Sequence, residues 1–501
     1  MNSKEKTDTK HKIFRHNKIM KSTANYQYVT LADQIQDNII NGVFTPGERL
    51  PSLRKLHRRL GLSISTIHQA YIELEKRGRV EAREKSGFYV TSLDQGPRPR
   101  PKPAKANPAP HPVKVNRLAH TIVSQLRDPE ILQLGAAVCS SEFMPLKQLS
   151  RIQKSIAARE LQDQLSNYNH PLGNEELRAA LAKRMLGLSC TVSPQEIITA
   201  AGCLDAVALC LRAVTQPGDT VLVESPVFHS FLQLMEDLKL MVVELPGCPE
   251  NGISPRDFEQ ALNTHPVKVC LLNSNFHNPL GSVLPAPARA RIFELAQAHD
   301  IAIIEDDIYG DLFFGTKRPA TFKSLDTDGR VLYCASVSKT LAPGLRTGWI
   351  LPGRYKDQVA RIKLNTTISS PDFHQVVTAR FMETGAYDRH LRRFRNQMKN
   401  QASALGMALA RHFPPGVRFT FPKGGMFIWI ALDKKIRAMA VFQQAYREKI
   451  SILPGTICSS TGLYDHCLRL NCGIKWSPRL EQGIETLGDI VTRLYREHGL
   501  I

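Results

Sequence analysis

Lys339 stands in "CASVSKTLAPGLRTGWI", residues 334–350, behind Ser336 and Ser338 and seven residues ahead of Arg346. Two hydroxyls, a glycine-containing turn and a guanidinium gathered in one stretch suit a small anion, and an amine waits beside them. A lysine amine condenses with an aldehyde to give a Schiff base, and the aldehyde cofactor that also bears a phosphate is pyridoxal 5′-phosphate.

Other stretches offer the rest of such a pocket. "AGCLDAVALCLRAV" follows the apolar run "EIITA", so the amides of Gly202, Cys203 and Leu204 are expected at a helix N-terminus, which favours phosphate. "IAIIEDDIYGDL" ends a buried strand in Asp306, with Tyr309 three residues on. A carboxylate there keeps a pyridine nitrogen protonated and makes the ring an electron sink, while the phenol hydrogen-bonds the 3-oxygen. Asp307 reads as a solvated acid. In "NSNFHNPLG", Asn278 precedes a proline in a turn and suits the same ring oxygen; Phe228 in "ESPVFHS" offers a face for stacking, although alone it also fits a core position.

These residues need a scaffold. "EIITA", "TVLVE", "MVVEL", "VKVCLLN", "IAIIEDD" and "VLYCAS" are short apolar runs separated by amphipathic stretches such as "PARARIFELAQAHD". That alternation predicts a mostly parallel sheet wrapped by helices, with ligands outside the carboxyl ends of the strands. A chain of 501 residues exceeds one hydrophobic core, so two or more domains are expected. The ten cysteines include no CxxC pair, so neither a zinc site nor a disulfide framework is indicated. No apolar run reaches the roughly 18 residues of a membrane span, and the polar, basic start has no signal core. A cytoplasmic protein without a membrane partner is the expectation.

Charge is unevenly placed. Residues 1–115 hold 22 Lys and Arg against 10 Asp and Glu, a net +12, which leaves +8 of the total +20 for the rest. Such asymmetry points to nucleic acid or a membrane surface, although residues 1–24 also read as a basic flexible tail. Residues 94–117, containing "DQGPRPRPKPAKANPAPHPVKVN", are proline-dense and predict an extended linker that spans on the order of 70 Å at ~3.1 Å per residue.

Between tail and linker, residues 25–93 predict three short helices and a hairpin. Thr30 with Asp33 reads as a capping pair, Gly42 as a stop, and Ser52 and Ser63 as caps of the next two helices. "RVEAR" and "GFYVTS" around "EKSG" make a wing. Ser63, Ser65 and Thr66 open the third helix, where helix-turn-helix proteins face the major groove, and Arg49 and Arg54 suit phosphates or a guanine edge. Ser63 also reads as nothing more than a cap.

The stretch "GVFTPGERLPSLRKLHRRLGLSISTIHQAYIELEKRGRVEAREKSGFYV" strongly resembles the GntR-family DNA-binding domain. The resemblance implies Arg49, Ser52, Arg54, Ser63, Ser65, Thr66 and the wing around Gly87 as contacts to a double-stranded operator. Ile64 and His68 stand where many relatives carry arginine. "ESPVF", "NPLG", "EDDIYGDL", "SVSKTLAPGLRTG" and "PKGGMFIW" together resemble fold type I, class I/II aminotransferases over residues 118–501. That implies an α/β multidomain chain: a winged helix-turn-helix, then a transferase fold with a smaller C-terminal α+β lobe. It also implies Lys339 as the Schiff-base lysine, Ser336, Ser338 and Arg346 on the cofactor phosphate, and Arg469 in "CLRLNCG" on a substrate carboxylate. Tyr168 in "YNHPLGNEELR" resembles the tyrosine that reaches the phosphate of a neighbouring subunit. Leu280 replaces the usual threonine of "NPTG", Phe228 a frequent tyrosine, and Cys203 with Leu204 a polar pair.

The combination resembles the MocR subfamily of bacterial regulators, which implies a head-to-tail homodimer and an amino acid or amine effector exchanged at Lys339. A working aminotransferase with an accessory DNA-binding domain is the alternative, and a sensor of pyridoxal phosphate itself is a third reading.

Overall fold

The computed structural model describes residues 27–40, 44, 48–83, 86–90, 100–104, 109–113, 118 and 128–501. The expected tail at 1–24, the stop at Gly42, the wing tip at Glu84 and Lys85 and linker residues 94–99, 105–108 and 114–117 lie outside them. The chain divides into two compact units, Met1–Arg98 and Pro99–Ile501.

In the first unit, helices α1 (Gln27–Ile40), α2 (Leu53–Leu60) and α3 (Ile64–Lys76) precede an antiparallel pair, β1 (Val80–Arg83) and β2 (Gly87–Val90). Ser52 caps α2 by accepting from the Lys55 amide at 3.3 Å, and Gly61 ends it in the left-handed conformation. Ser63 caps α3 in the same way, accepting from the Thr66 amide at 3.0 Å. Leu31, Ile35, Leu56, Ile67 and Leu74 close the core, where the Tyr71 hydroxyl donates to the Pro51 carbonyl at 2.6 Å. Residues 48–50 add to the wing, because Leu50 N donates to Phe88 O and Val90 N to Glu48 O, both at 2.8 Å. The expected Thr30–Asp33 cap is a misreading. Tyr28 packs on this core and carries the apolar stripe of α1 back before Thr30, so Thr30 lies inside the helix. Asp33 pairs instead with Arg77 beyond α3.

The second unit holds β3 (His111–Pro112), β4 (Leu132–Gln133), β5 (Ile198–Ala200), β6 (Thr220–Ser225), β7 (Met241–Pro246), β8 (Val267–Leu272), β9 (Ala302–Asp306), β10 (Val331–Ser336) and β11 (Gly348–Leu351). Eight of these form one sheet in the order β3-β7-β6-β8-β9-β10-β11-β5. Neighbours from β7 through β10 run parallel, whereas β3, and β11 with its two neighbours, pair antiparallel. Both faces are covered. Ile304 and Leu332 pack with Val207 and Leu211 of the helix Cys203–Val214, and Ile303 packs with Phe258 and Ile292 on the other side. Burial on both faces is why these strands read as unbroken apolar runs. The strand β3 falls in the proline-rich stretch and lies at a sheet edge, where proline is tolerated.

A smaller lobe follows. In it β12 (Arg418–Phe419), β13 (Phe427–Ala431), β15 (Leu453–Pro454) and β16 (Cys467–Asn471) make an antiparallel sheet ordered β12-β13-β16-β15, while β14 (Ile450–Ser451) pairs with β4. Leu405 and Leu409 of the helix Ala386–His412 and Ile484 and Leu487 of the helix Pro478–Glu497 pack on Phe427 and Trp429. No helix among the described residues is long and apolar enough to cross a membrane.

Candidate cofactor site and nucleic-acid interface

The carboxyl ends of β6, β8, β9 and β10 deliver the polar residues. Ser336 closes β10, and its hydroxyl accepts from the Ser338 amide at 3.3 Å. Arg346, held at φ 47°, donates to the Ser338 hydroxyl at 3.3 Å and to the Ala201 carbonyl. Its guanidinium leaves no room for a side chain at Gly202, where a Cβ would sit 2.5 Å from Nη2 and φ is +103°. Gly202 precedes the helix Cys203–Val214 without a side-chain cap, so the first amides of that helix face the Ser338–Arg346 corner. Lys339 donates to the Ala137 carbonyl at 2.6 Å. Burial pulls its amine down to about 8, which raises the neutral, nucleophilic fraction at physiological pH.

Asp306 ends β9. Its Oδ1 accepts from Cys203 Sγ at 3.0 Å and from the Ile308 amide at 3.1 Å, and burial pushes its carboxyl up to about 6. It has no ion-pair partner among the described residues. Asn273 Nδ2 donates to the Asp306 carbonyl at 2.6 Å, and Asn273 Oδ1 accepts from the Asn278 amide at 2.9 Å. Asn273 thus ties the Asn278 turn to β9; sequence reasoning missed it, although it stands just after a strand and five residues before Asn278. Phe228, Asn273, Asn278 and Asp306 line one small pocket. Tyr309 is buried edge-on against Phe427, with ring centroids 5.4 Å apart. Asp307 is not the solvated acid expected. It is buried, ion-paired with Arg318, and accepts from the Tyr333 hydroxyl at 2.7 Å and Asn275 Nδ2 at 3.0 Å. Consecutive residues at a strand end point to opposite sides, which separates its carboxylate from that of Asp306.

Arg469 comes from β16 and is buried. Its guanidinium lies 4.2 Å from the Phe427 ring centroid, Nη1 donates to Asn278 Oδ1 at 2.7 Å, and Nη2 donates to the Gly135 carbonyl. Nε has no hydrogen-bond partner, and no carboxylate pairs with the group among the described residues. A buried cation answered only by neutral oxygens is costly unless an anion joins it. Tyr168 is not drawn into this constellation: it is 82% exposed, as Leu165 is at 75% and Leu204 at 41%.

In the first unit, Arg49, Ser52, Arg54, Ser63 and Ser65 are exposed and Thr66 is half-buried. The Ser63 hydroxyl also bonds the hydroxyls of Ser65 at 2.8 Å and Thr66 at 2.7 Å, so three hydroxyls act as one cluster at the start of α3. Arg49 lies over Gly87, where a Cβ would be 3.2 Å from its Nε. Ile64 is 44% exposed on the same turn, and His68 is exposed one turn on.

Residues 131–485 match aminotransferase class I and II, and residues 27–90 match the bacterial regulatory proteins of the gntR family. Fold and site therefore define a class: a winged helix fused to an aminotransferase-type domain, the MocR-type arrangement. The chain belongs to the class I and II aminotransferase family, with a gntR-family domain at its front. YjiR of Escherichia coli (strain K12), an uncharacterized HTH-type transcriptional regulator, is 35% identical over 93% of this chain and 99% of its own. YdcR of the same organism, described in the same words, is 34% identical over the same shares. The solved structure of LysN, the alpha-aminoadipate aminotransferase of Thermus thermophilus, complexed with N-(5′-phosphopyridoxyl)-L-leucine, has a TM-score of 0.71 and 26% identity, covering 75% of this chain and 95% of that one.

The cofactor of this family is pyridoxal 5′-phosphate, and the residues present fit it. Gly202 leaves a cradle that a Cβ would fill, Asp306 is a buried carboxyl without an ion pair among the described residues, and Lys339 is an amine with a lowered pKa.

Proposed function

We propose that this protein is a DNA-binding transcriptional regulator whose aminotransferase-type domain senses an amino acid or amine. The observation that carries the reading is Arg469, a buried guanidinium without a carboxylate partner among the described residues, beside the Lys339 pocket and in the same chain as a gntR-type winged helix. When bound, pyridoxal phosphate supplies an aldehyde that captures amines and a ring that accepts electrons.

The chain's residues divide the work. Lys339 is the amine that holds the cofactor and yields its place to an effector. Ser336, Ser338, Arg346 and the amides of Gly202, Cys203 and Leu204 hold the phosphate. Asp306 holds the proton on the ring nitrogen, Asn278 and Tyr309 hydrogen-bond the 3-oxygen, Phe228 stacks, and Arg469 clamps the effector's carboxylate. Tyr168, left exposed, serves the phosphate of a second copy in a head-to-tail homodimer. Residues 25–93 read DNA through Arg49, Ser52, Arg54, Ser63, Ser65, Thr66 and the wing at Gly87; 94–117 link them to the sensor at 118–501. The setting is the cytoplasm.

The test is binding of the full-length holoprotein to a fragment from its own upstream region, with and without each amine that perturbs the cofactor's absorbance. A change in DNA affinity with such an amine supports the reading. DNA affinity indifferent to all of them overturns it. Steady transamination of a 2-oxo acid at ordinary enzyme rates, on the order of 1 to 10³ per second, then favours an active aminotransferase with an accessory DNA-binding domain.

A further inference from the structure

A second cavity, of about 490 Å³, lies in the large unit apart from Lys339 and the small pocket at Asp306. Its roof is the chain leading to the winged helix, because Pro101, Lys102, Pro103 and Ala104 line it. That segment is fastened down: Arg100 pairs with Glu250, Pro101 is buried, and Ala104 packs on the core of the smaller lobe. The larger lobe contributes Leu280, and the smaller lobe Trp429 and Tyr464. Leu280 stands in this chain where the resembling aminotransferase motif has threonine, so this wall is apolar.

The lining selects a chemistry. Trp429 and Tyr464 meet edge to face with centroids 5.9 Å apart, giving an aromatic wall. Three cations, Lys102, Arg418 and Lys434, stand around the space against one acid, Asp433, and none of the three is ion-paired among the described residues. The volume falls in the range of roughly 300–1,000 Å³ typical of small-molecule sites.

We infer that this cavity binds an amphipathic organic anion, with a flat apolar body against Trp429 and Leu280 and its acidic group toward Arg418 and Lys434. The site is independent of the reading at Lys339, and because its roof is the linker, its occupancy acts on the segment that joins sensor to DNA reader.

The probe is 8-anilino-1-naphthalenesulfonate, a flat apolar anion, titrated into the full-length holoprotein by fluorescence. Expected are one site per chain, quenching of tryptophan emission, an unchanged cofactor absorbance band, and equal binding by Lys339→Ala. Ala104→Phe, which fills the roof, abolishes the site. Arg418→Ala and Lys434→Glu at the rim, where misfolding is of less concern, weaken it by roughly three- to fivefold each, as expected for partly exposed charges. Absence of binding, loss of binding in Lys339→Ala, or affinities unchanged in all three cavity variants overturns the inference, and none of these results bears on whether amines act at Lys339.

Discussion

Arg469 Nη1 donates to Asn278 Oδ1 at 2.7 Å, and this bond joins β16 of the small sheet to the turn after β8 of the large one. The guanidinium thus ties the two lobes together, and its Nε has no hydrogen-bond partner among the described residues. Arg469→Ala is expected to weaken amino-acid effectors by about 10- to 100-fold, the value of hydrogen bonds to a charged group. The matching amines without a carboxylate should change far less. Titration of the cofactor absorbance checks this, and equal losses for both ligand series would remove Arg469 from the effector site.

Gly202→Ala tests the phosphate corner. The added Cβ lies 2.5 Å from Arg346 Nη2 in a backbone conformation that side chains disfavour, so Arg346 must move from Ser338. Affinity of the cofactor-free protein for pyridoxal phosphate should fall by about tenfold or more, the scale of a lost charge-assisted bond. Retained affinity, measured by fluorescence titration, would place the phosphate elsewhere.

Lys339 makes a pH prediction for the cofactor-free protein. Its amine falls from 10.5 to about 8 on burial, so the unfolded chain holds the extra proton between those values. Stability contributed by this residue therefore rises with pH from about 8 to 10.5, and at neutral pH the buried charge is a burden. Lys339→Met should be more stable than the parent at pH 7, with the difference shrinking as pH climbs through that window. Urea midpoints of both proteins from pH 7 to 10 decide it; a gap that is constant with pH contradicts the assignment.

The strands were legible because burial on both faces leaves unbroken apolar runs, and the Lys339 corner because Ser336, Ser338 and Arg346 are close in sequence. What was not legible depends on partners distant in the chain. Strand β3 exists only because the edge of β7 accepts His111 and Pro112, and no periodicity in a proline-dense segment announces that. Asp306 and Asp307 look alike in sequence, and only the pleat, with Arg318 on one side, assigns them opposite surroundings. Thr30 imitated a cap because the packing of Tyr28, two residues earlier, has no sharp local signal.

In the DNA-reading unit, Ser63 combines a scaffold role with contact, whereas Arg54 is proposed as contact alone. The Ser63 hydroxyl already holds the Thr66 amide, so Ser63→Ala should cost about 1 kcal/mol of stability and weaken all DNA sequences alike. Arg54 is exposed and carries no such duty. Arg54→Ala should leave the melting temperature unchanged and, if the side chain grips phosphate, lower the slope of log affinity against log salt by about 0.9. An unchanged slope together with unchanged operator preference would take Arg54 off the interface.

The two units are joined thermodynamically if the sensor reading holds, and linkage makes that a quantitative demand. An effector that alters DNA affinity by some factor must have its own affinity altered by DNA by the same factor, with couplings typically ~1–3 kcal/mol. An effector that binds equally well with and without DNA shifts nothing. Titrating the cofactor band with each active amine, in the presence and absence of saturating operator fragment, measures one side of the cycle, and DNA anisotropy with and without the amine measures the other. The two factors should agree. In Arg469→Ala, an amino acid that still binds without engaging the guanidinium should lose coupling on both sides together, because the Arg469–Asn278 bond is then neither made nor exchanged. Coupling that survives intact in this variant would show that the signal leaves the pocket by a route other than the contact between β16 and the turn after β8.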